Sequence, residues 1–445
     1  MISLAKNNVL VFNFCALFYL LLCLSISIQS QSYGEVALIE AGLFVCFAIA
    51  IWLMALLLGK INGLPSKTWI ISWSIIFQLC LLPAYPILEN DVLRYLWDGY
   101  VFVETGNPYG IRPAEFFYDE SIPLLMQGVL DLISYPSSPT VYGPVAEVVF
   151  AIAYILSPAN EFTIKFVMFL SVVGIVLLIS PRVSREKLLL FSWCPLVLFQ
   201  FSLNAHIDSL AVVLMLSALI YSQHRIWWVA SVLLSLAIMT KIFAILAVPF
   251  ILVLKRQYFV TAVLLSLVYI PLLFSGKHEF LGLSVMAEFW MFNSLFYSAW
   301  VYLFDNLWIK IVSLMFFLVC YVSVYIKYKD DFNFEHRCIA LFIIYAVFLF
   351  SLSALNAWYL LWLLCFALFT PYRWPWVFAC TVWLYMMTGL NLNDESMGLY
   401  EIPMGILIAE YVGIILISLA LSWYFSTREQ GKAIPLFSKL NIDNQ

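Results

Sequence analysis

Between Val9 and residue 425 the chain is a succession of apolar runs separated by short polar turns. A run of about 18–23 apolar residues matches the hydrocarbon core of a bilayer. A chain assembled from many such runs has few ways to fold except within a membrane. Composition closes the alternative: of 445 residues, 11% are charged and 64% hydrophobic, against roughly 25% and 45–50% in soluble domains. That is too little polar surface to cover a water-exposed body of this size. Soluble enzymes, secreted disulfide scaffolds and disordered chains are thereby excluded. A net charge of −4 leaves no footprint for nucleic acid. The nine cysteines lie in or beside apolar segments without Cys-x-x-Cys pairs, so they read as small core hydrophobes and not as a disulfide or zinc set.

The reading is an all-α polytopic membrane protein with about 12–14 transmembrane helices in one integral domain spanning 1–445. Val9–Ile28 lacks a small-residue cleavage site, so it reads as a retained helix. Further spans are expected near 37–58, 69–87, 163–180, 188–204, 208–221, 226–240, 242–254, 257–274, 308–326, 338–353, 356–370, 374–390 and 403–425. The run 145–156 is too short to cross and reads as interfacial or re-entrant. Lys6, Lys60, Lys67, Arg182, Arg185, Lys187, Arg225, Lys255, Arg256, Lys327, Lys329, Arg337, Arg373, Arg428, Lys432 and Lys439 can all share one side. The longer loops 88–142, 275–300 and 391–402 hold only Arg94, Arg112 and Lys277. The basic side is the cytoplasmic one, which puts both termini there and the acidic loops outside, in an inner membrane of bacterial type.

Loop 88–142 is the main departure from a plain bundle. Its Asp91–Glu104 stretch has the pattern of an amphipathic surface helix, closed by Asn107-Pro108 because a residue before proline avoids the helical region. In that helix Asp91, Arg94 and Asp98 fall at i, i+3 and i+7, one face. Two carboxylates and a guanidinium on one face suit a base and an anion binder. They equally suit a solvated face with local ion pairs of small energetic worth. Lys241 interrupts an apolar run, where an ammonium is costly unless it meets a polar cavity. His206 and Asp208 sit at the end of a span, either as a ligand-contacting pair or as a satisfied structural one.

The residues Asp91-Val92-Leu93-Arg94-Tyr95-Leu96-Trp97-Asp98-Gly99, then Gly106-Asn107-Pro108-Tyr109, resemble the first outer loop of bacterial GT-C superfamily glycosyltransferases. The chain is most similar to the polyprenol-phosphate-mannose-dependent mannosyltransferases, a group that includes glycosyltransferase family 87. Further matches occur in the family's order. Tyr135 to Pro144 resembles its proline-rich return segment, and Asn204-Ala205-His206-Ile207-Asp208 its Asn-x-His-Asn-Asp motif, with Ile207 replacing a polar residue. Thr240-Lys241 resembles the Thr-Lys at a helix break, and Trp290-Met291-Phe292-Asn293-Ser294 a Trp-x-Phe-Asn-Ser motif. Asn356-Ala357-Trp358-Tyr359 resembles a His/Asn-Pro-Trp-Tyr motif in which Ala357 replaces proline. The resemblance runs over roughly 90–365.

It implies an inverting hexosyltransferase that moves a sugar, mannose by the family's habit, from a polyprenyl-phosphate donor in the membrane to a glycan or glycolipid acceptor outside. By alignment, Asp91 is the general base and Glu89 its reserve, since an acceptor hydroxyl needs a carboxylate within hydrogen-bond reach. The leaving phosphate needs cationic donors, for which Arg94, Lys241 and His206 are the candidates. Asp98, Asn107, Tyr109, Tyr142, Asp208, Asn293, Asn356, Trp358 and Tyr359 are expected to support the site or touch substrate. No cofactor is required by a monophosphate donor. Glu89 and Asp91 do resemble the Glu/Asp-x-Asp metal pattern of diphosphate-dependent relatives. The competing classes are a flippase or transporter of lipid-linked sugars, which should show paired repeats with broken helices at mid-membrane, and a structural subunit, which gives no reason for these polar residues.

Overall fold

The computed structural model describes residues 2–31, 36–300, 304–388 and 402–428. Loop residues 391–401 and the basic Lys432 and Lys439, which entered the orientation count, lie outside the described residues. The chain is 75% helical, with no strand among the described residues, as expected of an all-α polytopic membrane protein. The helix Lys255–Ser275 shows the membrane pattern most plainly. Its buried residues are Gln257 and Thr261, while Phe259, Leu267 and Phe274 face outward. That inside-out arrangement is stable only when the outside is itself apolar.

Among the described residues, seven helices are long and apolar enough to cross a membrane: Val11–Gln29, Leu38–Asn62, Phe162–Arg182, Lys255–Ser275, Leu307–Tyr328, Phe334–Ser351 and Met404–Trp423. The bent pair Arg185–Ser192 and Pro195–Leu203 makes an eighth if taken as one span. The expected 12–14 is reached only by adding shorter helices such as Asp208–Gln223 and Trp227–Thr240, of 16 and 14 residues. At 1.5 Å per residue those rise about 21–24 Å, short of a core of about 30 Å. Pro144–Leu156, with 13 residues, is shorter still.

The described residues form two compact units, one ending at Phe289 and one from Trp290 onward. In the first unit the expected loop helix is present as Asp91–Thr105, stopped by Gly106 at φ +75° in the left-handed region. It is not a loose surface helix. Val92, Tyr95, Leu96 and Trp97 are buried in one apolar cluster with Phe150, Met168 and Ile207. Gly99 makes this packing possible: a Cβ there would lie 2.3 Å from Phe150 O, so only glycine lets this helix meet Pro144–Leu156 backbone to backbone. Tyr95 stacks on Phe150 at 4.5 Å beside that crossing.

In the second unit, two motif segments lie side by side. Phe292 N donates to Ser353 O (3.1 Å) and Leu355 N to Phe292 O (3.1 Å), which forms an isolated parallel bridge between Phe292 and Ala354. The helices Phe334–Ser351 and Met404–Arg428 belong to the same unit.

Candidate active site

The first unit gathers its polar residues where helices end. The helix Lys67–Leu81 is followed by a seven-residue segment that delivers Glu89, and Asp91 opens the next helix. The bent pair ends at Leu203, and Asp208 opens the helix after it, which leaves Asn204–Ile207 between them. Trp227–Thr240 stops one residue before Lys241. Each break exposes backbone groups without helical partners, and polar side chains collect there.

The core of the site is Glu89, Asp91, His206, Asp208 and Lys241. His206 Nε2 lies 3.2 Å from Glu89 Oε1, and Nδ1 lies 3.8 Å from Asp91 Oδ2. Lys241 Nζ donates to Asp208 Oδ2 at 3.3 Å and stands 5.6 Å from the Tyr142 ring centroid. Glu89, His206 and Asp208 are buried, whereas Asp91 leaves 31% of its side chain exposed. Glu89 Oε2 also accepts from Asp91 N at 3.1 Å, which holds the two carboxylates in fixed relation at a helix N-terminus. Leu88 and Ala205, immediately before Glu89 and His206, sit at φ +68° and +64°. Neither is glycine, so the backbone is strained at both approaches to the contact.

Electrostatics follow from this crowding. Burial pushes the Glu89 carboxyl up to about 8. Burial, then the charge of Glu89, raises Asp91 to about 7, with His206 and Lys241 pulling the other way. Burial lowers His206 to about 4 against the attraction of Asp91 and Asp208, so its imidazole is neutral at physiological pH. Glu89, Asp91 and His206 each bring one ligand atom within 4.8 Å of one another, so this trio could also hold a divalent cation.

A second network lies further along the same helix. Arg94 Nε donates to Asp98 Oδ1 at 2.8 Å and its Nη1 to Ser138 O at 2.8 Å. Thr140 Oγ1 donates to Glu147 Oε1 at 2.6 Å. Arg94 Nη2, Asp98 Oδ2 and Glu147 Oε2 are buried without a hydrogen-bond partner among the described residues. One guanidinium faces two carboxyls, and burial beside Asp98 drives Glu147 well above the carboxylate range. Gly143 and Gly282 let the return segment pack tightly: a Cβ on Gly143 would lie 2.2 Å from Met239 O, and one on Gly282 2.2 Å from Thr140 O.

The structure therefore brings together Glu89, Asp91, His206, Asp208, Lys241 and Tyr142. Arg94 and Asp98 share a face with Asp91 but make their own ion pair. Asn107 forms a turn by accepting from Tyr109 N at 2.9 Å, and the buried Tyr109 donates its hydroxyl to Tyr142 O at 3.1 Å. Asn293, Asn356, Trp358 and Tyr359 belong to the second unit. There Asn293 Nδ2 donates to Leu355 O (3.4 Å), Asn293 O accepts from Tyr411 Oη (2.8 Å), and Ala357 N donates to Tyr385 Oη (2.8 Å). Glu147, Lys165 and Glu410 are fully buried and are not among the residues that the sequence motifs mark. The signal is present in each case, as a lone charge inside an apolar run.

A helical membrane body with carboxylates, an imidazole and an ammonium converging at its helix breaks has the build of a GT-C-like membrane glycosyltransferase. Residues 21–257, just over half the chain and all of the first site, match the alpha-(1->6)-mannopyranosyltransferase family, N-terminal domain, and the chain belongs to that family. It is thus a glycosyltransferase that moves mannose. No curated protein and no solved structure matches the chain.

Proposed function

We propose that the chain transfers mannose from a polyprenyl-phosphate carrier to a hydroxyl of a glycan or glycolipid, with inversion, at the outer face of a bacterial inner membrane. The observation that carries this reading is the pairing of a part-exposed carboxylate, Asp91, with a cation, Lys241, in one cluster. Asp91 takes the proton of the acceptor hydroxyl as that oxygen attacks the anomeric carbon. The bond from that carbon to the phosphate oxygen breaks, and Lys241 offsets the charge that grows on the leaving phosphate. Glu89 and neutral His206 hold Asp91 in place, and Asp208 holds Lys241. An α-(1,6) product formed with inversion requires a β-linked donor, so donor stereochemistry is part of the proposal. The distribution of lysine and arginine supports cytoplasmic termini.

The test is direct. Detergent-purified protein, given polyprenyl-phosphate mannose and a mannose-terminated acceptor, should form an α-(1,6)-linked product with no membrane gradient. Transport of the carrier into vesicles without product formation would put a flippase in its place. The scheme needs no metal, so EDTA should leave turnover unchanged. A loss restored by a divalent ion would assign Glu89, Asp91 and His206 to that ion instead.

A further inference from the structure

Lys165 is fully buried near the start of the helix Phe162–Ile179. A lysine has three donors and no acceptor, and an ammonium inside an apolar helix persists only with a defined partner. Its partners are backbone carbonyls. Nζ donates to Leu81 O at 3.0 Å and to Ala84 O. Leu81 is the last residue of Lys67–Leu81, where a helix leaves carbonyls without partners and its dipole favours a cation.

The segment after Leu81 gives this contact its meaning. Residues 82–88 run directly into Glu89, and their polar groups are tied down along the way. Tyr85 N donates to Ser30 O at 3.2 Å, and Ser30 Oγ donates to Tyr85 O at 2.6 Å. Ile87 N donates to Asn204 Oδ1 at 3.2 Å, which links the segment to the stretch that carries His206. Leu88 then takes its left-handed conformation. The strain needs a support that does not yield, and Lys165 is the charged member of that support.

We propose that Lys165 is a positioning residue that sets the place of the Glu89–Asp91 pair. This rests on the reading of Asp91 as the base. Without the ammonium, Ala84 O loses its donor and Leu81 O keeps only Ala84 N, at 3.2 Å, so the segment relaxes and carries the carboxylates with it. A displacement of about 1 Å at a reacting group can lower a rate by about 10²-fold. Lys241 stands on a separate segment, so donor binding is untouched.

The experiment compares Lys165→Met, Lys165→Gln and Lys165→Arg in detergent, with polyprenyl-phosphate mannose and acceptor, alongside thermal unfolding. The expected result for Lys165→Met is a kcat lower by about 10- to 100-fold with donor KM little changed. Lys165→Arg, which keeps charge and donors, should recover most of the kcat. Should Lys165→Met fail to fold, Lys165→Gln is read in the same way. Wild-type kcat in the neutral variant, a loss confined to KM, or an equal loss in Lys165→Arg would overturn the proposal. Asp91→Asn is measured in parallel. If it retains turnover, the base assignment fails whatever Lys165 does; if it is inactive while Lys165→Met is normal, only the positioning role fails.

Discussion

Two polar clusters share the helix Asp91–Thr105, about two turns apart, and they are held in different ways. Around Asp91 the contacts are longer, 3.1–3.8 Å, and the side chains of Asp91 and Lys241 keep 31% and 11% exposure. Around Asp98 the contacts are short, 2.6–2.8 Å, and Asp98 and Glu147 are sealed from solvent. Both regions carry carboxylates and a cation, so charge alone does not separate them. Access and slack do. A loosely held, part-open group can exchange its partner for substrate, whereas a sealed network mainly fixes one element against another. Arg94 bridges the two conditions, with two nitrogens committed and Nη2 to spare.

The largest effect is expected at the open end. Asp91→Asn keeps the shape and removes proton acceptance, so turnover should fall about 10²–10⁴-fold with donor affinity retained. Asp98→Asn should lower turnover far less. Near-normal turnover in Asp91→Asn with an inactive Glu89→Gln moves the base to Glu89, and activity in both variants abolishes the contrast. Next comes Lys241→Ala, which removes a charge-assisted contact of about 1.5–3 kcal/mol. Donor affinity should weaken about 10- to 100-fold in equilibrium binding, with a smaller change in melting temperature. The reverse pattern would make Lys241 the structural partner of Asp208 only.

At the sealed end the readout should be stability. Gly99→Ala drives a methyl into Phe150 O and should destabilise by about 1–3 kcal/mol, seen as a lower melting temperature with activity per folded molecule preserved. A loss of activity without a loss of stability would mean that the helix crossing belongs to the chemistry. The smallest effect is a pH slope. Glu89 and Asp91 have folded values, about 8 and 7, above their ordinary ones, so each holds a proton in the fold that the unfolded chain has released. That contribution is present at low pH and is lost as pH rises through the folded values. His206, lowered to about 4, acts oppositely but only up to its ordinary value near 6.5. Between pH 6.5 and 8 the melting temperature should therefore fall as pH rises, and Glu89→Gln should flatten the slope.

The membrane class and the loop helix are legible in the sequence because hydrophobic run length and a proline stop report directly on them. The helix predicted at 91–104 is Asp91–Thr105. The number of spans is not legible, because an apolar run records burial but not helix continuity. The break at Lys241, expected between the runs 226–240 and 242–254, is present, but it is followed by a tight turn over Ile242–Ala247 in place of a further long helix. The expectation that Arg94 joins Lys241 at the donor phosphate rests on the helical face that Arg94 shares with Asp91. Three residues also advance about 4.5 Å along the axis, and that rise carries Arg94 to Asp98 and Ser138. Glu147 and Lys165 are hidden for the converse reason. Periodicity treats a single charge in an apolar run as noise, and only packing shows which carbonyl or hydroxyl it answers.

The left-handed backbones at Leu88 and Ala205 store strain immediately before Glu89 and His206. An L-residue in that region sits about 1–2 kcal/mol above its preferred conformation, and glycine at either position would release that strain only by giving up a buried side chain, at the larger cost for leucine. The packing of Leu88 and Ala205 thus holds the strain in place directly before Glu89 and His206. Stabilising changes for preparative work therefore belong on the lipid-facing helices and away from residues 88 and 205.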